Sequence, residues 1–237
     1  MRAVVYTAIF GDYDQLHQPA PQDEQCDFIC FTDRKTSSRV GAWRVIHVKA
    51  DHQIRPQILG RRFKILNHRI FPDGRLAAQY ARFSLRRRVD LSIWIDASIR
   101  IKSASFVRDM RGKLNDGDWA MFVHPDRDCI YEEARLCVTL VKCRDLPILP
   151  QVEAYRSTVP PHSGLYACGV VVRREPSVER LNRVHELWWE ENLKWTYRDQ
   201  LSLPFVLRRI EGCDPVPIRE HLRDNTWFEI NPHSSAR

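Results

Sequence analysis

Asp96 directly follows Ile93-Trp94-Ile95 in SIWIDASIRI (92–101), a carboxylate placed where a β-branched and aromatic run stops. Packing gives no reason for it there, because an unpaired buried carboxylate costs several kcal/mol. Asp96 needs a cation, an arginine or hydrogen-bond donors close by. Pairing with Arg61 or Arg100, or capping of the next turn, is the ordinary way to supply them. Other apolar runs end similarly. Thr7 and then Asp12, Tyr13 and Asp14 close the first run, Asp33 closes CDFICFTD (26–33), and His124 closes DWAMFVHP (118–125). Singly, Asp12 and Asp33 read as turn formers and His124 as a satisfied imidazole before Pro125. Together they predict polar groups gathered at one edge of a sheet.

Basic residues accompany them. Arg61 and Lys64 are spaced i, i+3 and share a helix face. His124 and Arg127 are also three apart and add positive charge, although Arg127 can equally pair with Glu132 or Glu133. Gly169, inside YACGVVV, marks either a close backbone approach to a ligand or a bulge. Trp188 and Trp189 lie on an amphipathic segment, where core packing competes with stacking on a ligand. A net charge of +7 favours an anionic partner: a nucleic acid, a membrane surface or a phosphate-bearing small molecule. The basic clusters LGRRFK (59–64) and SLRRRVD (84–90) lack the interleaved aromatics of a nucleic-acid binder, so no nucleic-acid partner is expected. No apolar run reaches the roughly 18 residues of a membrane span, which leaves peripheral membrane contact open and sets a cytoplasmic expectation. Seven cysteines at irregular spacings predict buried thiols, Cys26-x-x-x-Cys30 included.

The elements that must position these residues alternate. Strands are predicted at 3–11, 26–33 and 43–49, then a helix over 55–71 that leads through 75–89 into a strand over 92–101. Further strands are predicted at 118–125 and 164–174, with helices over 129–142, 177–195 and 199–210, the last kinked at Pro204 or starting there. The order predicts a single three-layer α/β domain over 1–237 with a mostly parallel sheet, and 211–237 as a C-terminal extension. The loop over 145–164, with its four prolines, is the expected acceptor-contacting segment.

VVYTAIFGDYD, CDFICFTD, RRFKILNHRIFP, SIWIDASIRI, HPDRDCIYEEA, GLYACGVVVRR and RDQLSLPFVLRR, in that order, resemble the glycosyltransferase-like family formerly known as a domain of unknown function, which has plant mucilage-related and bacterial members. The likeness spans about residues 2–210. It implies a GT-A-like fold similar to glycosyltransferase family 8 and transfer of a sugar from a nucleotide sugar, UDP-linked, to a glycan or other hydroxyl acceptor in polysaccharide biosynthesis. By the same resemblance Tyr6, Thr7, Ala8 and Asp33 meet the nucleotide, and Arg61, Lys64, His124 and Arg127 meet the diphosphate. Gly169 would lie against the donor. Asp199-Gln200 match the pair that approaches the anomeric carbon. Where family 8 carries Asp-x-Asp for Mn²⁺, this chain reads Asp96-Ala97-Ser98, so that Mn²⁺ or Mg²⁺ would be held by Asp96, with Ser98 and a late histidine, His221 or His233. Competing readings are a metal-dependent hydrolase built on Asp96, His124, Glu132 and Glu133, a non-catalytic nucleotide-sugar-binding module with Asp199 as a helix N-cap, and a nucleic-acid binder.

Overall fold

A computed structural model describes residues 2–11, 14–49, 54–71 and 89–232. Residues 12–13, most of the 75–89 stretch with the basic cluster at Arg86 to Arg88, and His233 lie outside them. The described chain forms β1 (Ala3–Ile9), β2 (Cys26–Thr32), β3 (Arg39–Val40), β4 (Trp43–His47), β5 (Leu91–Ile95), β6 (Ile99–Ile101), β7 (Trp119–Val123), β8 (Tyr166–Arg174), β9 (Val216–Ile218) and β10 (Phe228–Ile230). Its helices are α1 (Pro56–Ile65), α2 (Phe106–Lys113), α3 (Ile130–Cys137), α4 (Ile148–Ala154), α5 (Glu179–Lys194) and α6 (Asp199–Arg209).

Among the described residues, the main sheet runs β3-β4-β2-β1-β5-β8-β7-β9, and β10 pairs with β6 in a small second sheet. β1 lies parallel to both β2 and β5, and β2 lies parallel to β4. β8 runs antiparallel between β5 and β7, and β7 is parallel to β9. The carboxyl ends of β1, β2, β5 and β7 therefore share one edge with the beginning of β8. In open α/β sheets that edge is where ligands bind.

Alternation along the buried strands sorts side chains to two faces. Val4, Tyr6, Ile29, Phe31 and Trp94 meet α1, α5 and α6 through Phe63, Val184, Trp188 and Leu203. Val5, Ile9, Phe28, Ile93 and Ile95 meet α2 through Phe106, Val107 and Met110. The result is the helix–sheet–helix sandwich of a GT-A-like domain. A third cluster joins α3 and α4 to Leu201 and Phe205 of α6. The cysteines are free, and burial pushes the Cys26 and Cys30 thiols up to about 12.

Several predicted elements are corrected. The strand over 92–101 is two strands: the chain turns through Asp96, Ala97 and Ser98, Ile99 N–H donates to Asp96 O at 2.9 Å, and β6 leaves for the second sheet. The 55–71 helix ends at Ile65 and continues as a 3₁₀ turn over Asn67–Arg69, and the 129–142 helix ends at Cys137. Part of the 145–164 loop is α4, packed on α3, with none of the stretch lining the cleft described below. α6 starts at Asp199 and carries Pro204 inside it. Residues 216–218 and 228–230 complete the two sheets.

One buried polar cluster lies away from the ligand edge. Glu175 Oε1 accepts from Ser92 Oγ and Asn67 Nδ2, each at 2.7 Å, while Oε2 has no partner among the described residues. Burial, opposed by those donors and by Arg173, pushes the Glu175 carboxyl up to about 7. A folded-state value above the unfolded one means the native state binds the extra proton between pH 4.5 and about 7, so stability falls as pH rises through that window. Glu175→Gln, a mimic of the protonated acid, should match the wild type near pH 4.5 and exceed it increasingly up to about pH 7, by as much as ~3 kcal/mol. Urea denaturation across this range checks the trend; a stability difference independent of pH would contradict it.

Candidate functional site

α1 and α6 bring opposite charges to the carboxyl edge. Pro56 begins α1, where a missing N–H costs nothing, and Arg62 and Lys64 in the last turn suit the negative end of its dipole. Leu59 and Phe63 anchor the helix in the core, and the same turn directs Lys64 inward with its side chain 1% exposed. Lys64 Nζ donates to Asp199 Oδ2 at 2.6 Å and lies 3.2 Å from Asp96 Oδ1. Arg61 Nε is 3.0 Å from the same Asp199 oxygen, and Arg61 Nη1 is 4.0 Å from Asp96 Oδ1. Trp94 Nε1 donates to Asp96 Oδ1 at 2.8 Å, and Asp96 N–H donates to Gly169 O at the same distance. Arg100, the other partner considered for Asp96, instead pairs with Glu229 at the surface.

Asp199 is the first residue of α6, not its N-cap. Its Oδ1 accepts the Gln200 N–H at 3.1 Å, and its backbone carbonyl accepts from Trp188 Nε1 at 3.0 Å. Burial alone would push its carboxyl up; Arg61 and Lys64 outweigh burial and hold it below the usual carboxylate range. Trp188 and Trp189 therefore belong with the core, Trp188 also fixing the start of α6.

A second charged group adjoins the first. Glu133, on α3, is buried between Arg127 Nε at 2.7 Å from Oε2 and Arg198 Nη2 at 3.0 Å from Oε1. Arg198 also donates to Gln200 Oε1 at 3.1 Å. His124 Nδ1 accepts the N–H groups of Asp126 and Arg127 at 3.2 and 3.1 Å. Burial lowers the His124 imidazole below its ordinary value, with Glu133 opposing and Arg127 assisting.

These groups surround a cleft of about 380 Å³, within the range of small-molecule sites. Its walls include Ala8, Asp14, Arg61, Lys64, Trp94, Asp96, Ser98, His124, Arg127, Gly169, Asp199 and Gln200. Tyr6 and Thr7 stand outside it, within the core: the Tyr6 ring contacts Phe71 and Trp94 edge-on and its hydroxyl accepts from Arg173 Nη1. Asp33 is likewise absent from the lining; its carboxylate accepts the Gly11 N–H at 3.1–3.2 Å, holding a turn in which Gly11 has φ +59°. Gly169 combines both of its readings. β8 is irregular opposite Met121/Phe122, and a Cβ on Gly169 would stand 3.8 Å from Asp96 Oδ2 at the cleft wall.

Sequence reasoning missed Arg198 and Lys142. Arg198 directly precedes the Asp199-Gln200 pair, a signal that was readable; Lys142 reaches the cleft only because the chain turns after α3.

Several of the donors expected for Mn²⁺ or Mg²⁺ already have partners in the fold. Asp96 Oδ1 is already engaged by Lys64 and Trp94, Ser98 is a neutral hydroxyl, and His221 is outside the lining with Nδ1 accepting from Arg223 and Asp224. An ion at Asp96 would sit against an ammonium, where such ions need one or two carboxylates with further oxygens. Of the hydrolase constellation, Asp96, His124 and Glu133 line the cleft, with His124 Nε2 3.9 Å from Glu133 Oε2, and Glu132 does not. Among the described residues, the His/Cys/Asp/Glu group whose ligand atoms converge within 4.8 Å is Asp128, Glu132 and His162, outside the cleft.

Fold and site together define an α/β domain with an ion-paired, predominantly basic cleft at the carboxyl edge of its sheet. The chain belongs to the TOD1/MUCI70 glycosyltransferase-like domain family, whose pattern its residues 1–224 match. It is also similar to the alkaline ceramidase TOD1 of Arabidopsis thaliana, 27% identical over 237 residues, covering 86% of this chain and 47% of the relative. The chain thus spans about half the length of that curated relative. Among the described residues, no helix is long and apolar enough to cross a membrane.

Breaking a buried charge group leaves uncompensated ions, at a typical cost of about 3–5 kcal/mol. Glu133→Leu strands Arg127 and Arg198 and is expected to lose roughly 3 kcal/mol in urea unfolding at pH 7. A loss below about 1 kcal/mol would show that Glu133 does not hold these arginines.

Proposed function

We propose that the cleft binds a nucleotide sugar, UDP-linked, and transfers its sugar to a hydroxyl of a glycan or another acceptor. The observation that carries this reading is the pair of cations on α1, Arg61 and Lys64, locked between Asp96 at the end of β5 and Asp199 at the start of α6. Fixed cations beside a sheet edge suit a departing diphosphate, whose developing charge they can stabilise without reorganising. Family membership supports the same class.

In this reading Asp96, its Oδ2 toward the cleft wall, accepts sugar or ribose hydroxyls, and Gln200 contacts the sugar. Ala8 and Ser98 shape the nucleotide side of the cleft. Asp199, 4% exposed with both oxygens engaged, holds the cations and places negative charge near the anomeric centre; it acts as a positioning residue and not as a nucleophile. Tyr6, Thr7 and Asp33 support the strand ends from outside the cleft. The acceptor oxygen forms the new bond to the anomeric carbon, the bond to the diphosphate breaks, and the nucleotide leaves with that electron pair. The acceptor proton passes to phosphate or solvent.

The relative's name, alkaline ceramidase, is that of a hydrolase. The cleft supports this less for the present chain, because the His124 Nδ1 is occupied by backbone N–H groups and its Nε2 faces Arg127 Nη2 at 3.4 Å, a poor setting for a general base.

A thermal-shift screen of nucleotide sugars, in buffer containing both Mg²⁺ and Mn²⁺, tests the reading. One donor should raise the melting temperature of the wild type, with stabilisation reaching about 2.7 kcal/mol at a hundredfold excess over Kd, and should leave Asp96→Ala unmoved. No response to any nucleotide sugar, together with turnover of a ceramide, would overturn it.

A further inference from the structure

Asp96 and Asp199 face cations that the fold itself supplies. Lys64 is buried against both carboxylates and cannot swing into solvent, and Arg61 is shared between them. Tyr197 links this group to Lys142: its backbone carbonyl accepts from Arg61 Nε at 3.4 Å, and its hydroxyl donates to Lys142 O at 2.7 Å. Lys142 lines the cleft and has no carboxylate partner among the described residues. Although the residue is exposed, partial desolvation of its ammonium at the cleft wall, together with Arg198 and Arg61, disfavours the charged form, a crowding of cations that an anion would relieve.

The charges lining the cleft do not cancel. Along its lining, Arg61, Lys64, Arg127, Lys142, Arg198 and Arg223 stand against Asp14, Asp96, Glu133 and Asp199. The excess is two positive charges, which suits a sugar-linked diphosphate carrying a negative charge on each phosphate. The second carboxylate of an Asp-x-Asp metal clamp is replaced by Ser98, and the first is already engaged by Lys64. Resting on the nucleotide-sugar reading, we infer that Arg61, Lys64, Lys142 and Arg198 are the counter-charge for the donor diphosphate, so that donor binding requires no divalent cation.

Isothermal titration of the full chain with UDP, in EDTA and then in Mn²⁺, tests this. Kd in EDTA should lie within about threefold of the Mn²⁺ value. Lys142→Met should weaken UDP binding about tenfold or more, as expected for loss of a charge-assisted contact. Arg144→Met, which removes an exposed neighbouring charge outside the cleft lining, should leave it unchanged. UDP binding that appears with Mn²⁺ and vanishes on chelation would overturn the inference and leave the nucleotide reading intact. Equal effects of the two substitutions would also overturn it. Failure of UDP, GDP and ADP to bind in either condition would remove both.

Discussion

A lysine and an aspartate, their side chains 1% and 6% exposed, meet at 2.6 Å between the last turn of α1 and the first residue of α6. Withdrawing two such charges from water costs several kcal/mol per ion, and only close geometry with further partners offsets it. The further partners are Arg61 and Asp96, so α1, α6 and the end of β5 are fixed relative to one another by one shared charge balance. Hydrophobic burial holds the sandwich together; this pairing sets where its ligand edge places its charges. The Trp188 indole on the Asp199 carbonyl and the Trp94 indole on the Asp96 carboxylate brace both acids from the core side.

The placement explains why the cleft is basic although acids converge on it. Asp96, Asp199 and Glu133 are each consumed by internal cations, which they hold in position. Lys142, on the rim, remains without such a partner among the described residues. A site of this kind presents a preorganised positive surface, with little rearrangement needed when an anion arrives. The antiparallel β8 contributes by bringing Gly169 to the same edge as the ends of β1 and β5, where its carbonyl accepts the Asp96 N–H.

Much of this was legible in the sequence. The alternation of apolar runs with helical periodicity indicates an α/β sandwich, and carboxylates at run ends indicate the edge that Asp96 occupies; Asp199 is indicated by the family resemblance alone. What periodicity could not show was the turn at Asp96: Ile99 and Ile101 continue the alternation of β5, yet they pair with β10, whose partner strand is more than a hundred residues away. Asp33 and Asp96 look alike as strand-end acids, and only the neighbouring turn at Gly11 separates their roles. Tyr6 and Thr7 illustrate the same limit, since a strand pattern does not say how many residues before its end the core stops. Arg198 and Lys142 depend on how the chain after α3 folds back, which is a tertiary matter.

The organisation of the cleft requires Lys64 and Asp199 to be energetically coupled as well as close. A double-mutant cycle of Lys64→Met and Asp199→Asn, followed by urea unfolding at pH 7, measures that coupling directly. An interaction energy of roughly 2 kcal/mol or more is the expected result for a buried pair in contact. Additivity within about 0.5 kcal/mol would show that the two charges are stabilised separately, and the organisation of the cleft described above would not hold.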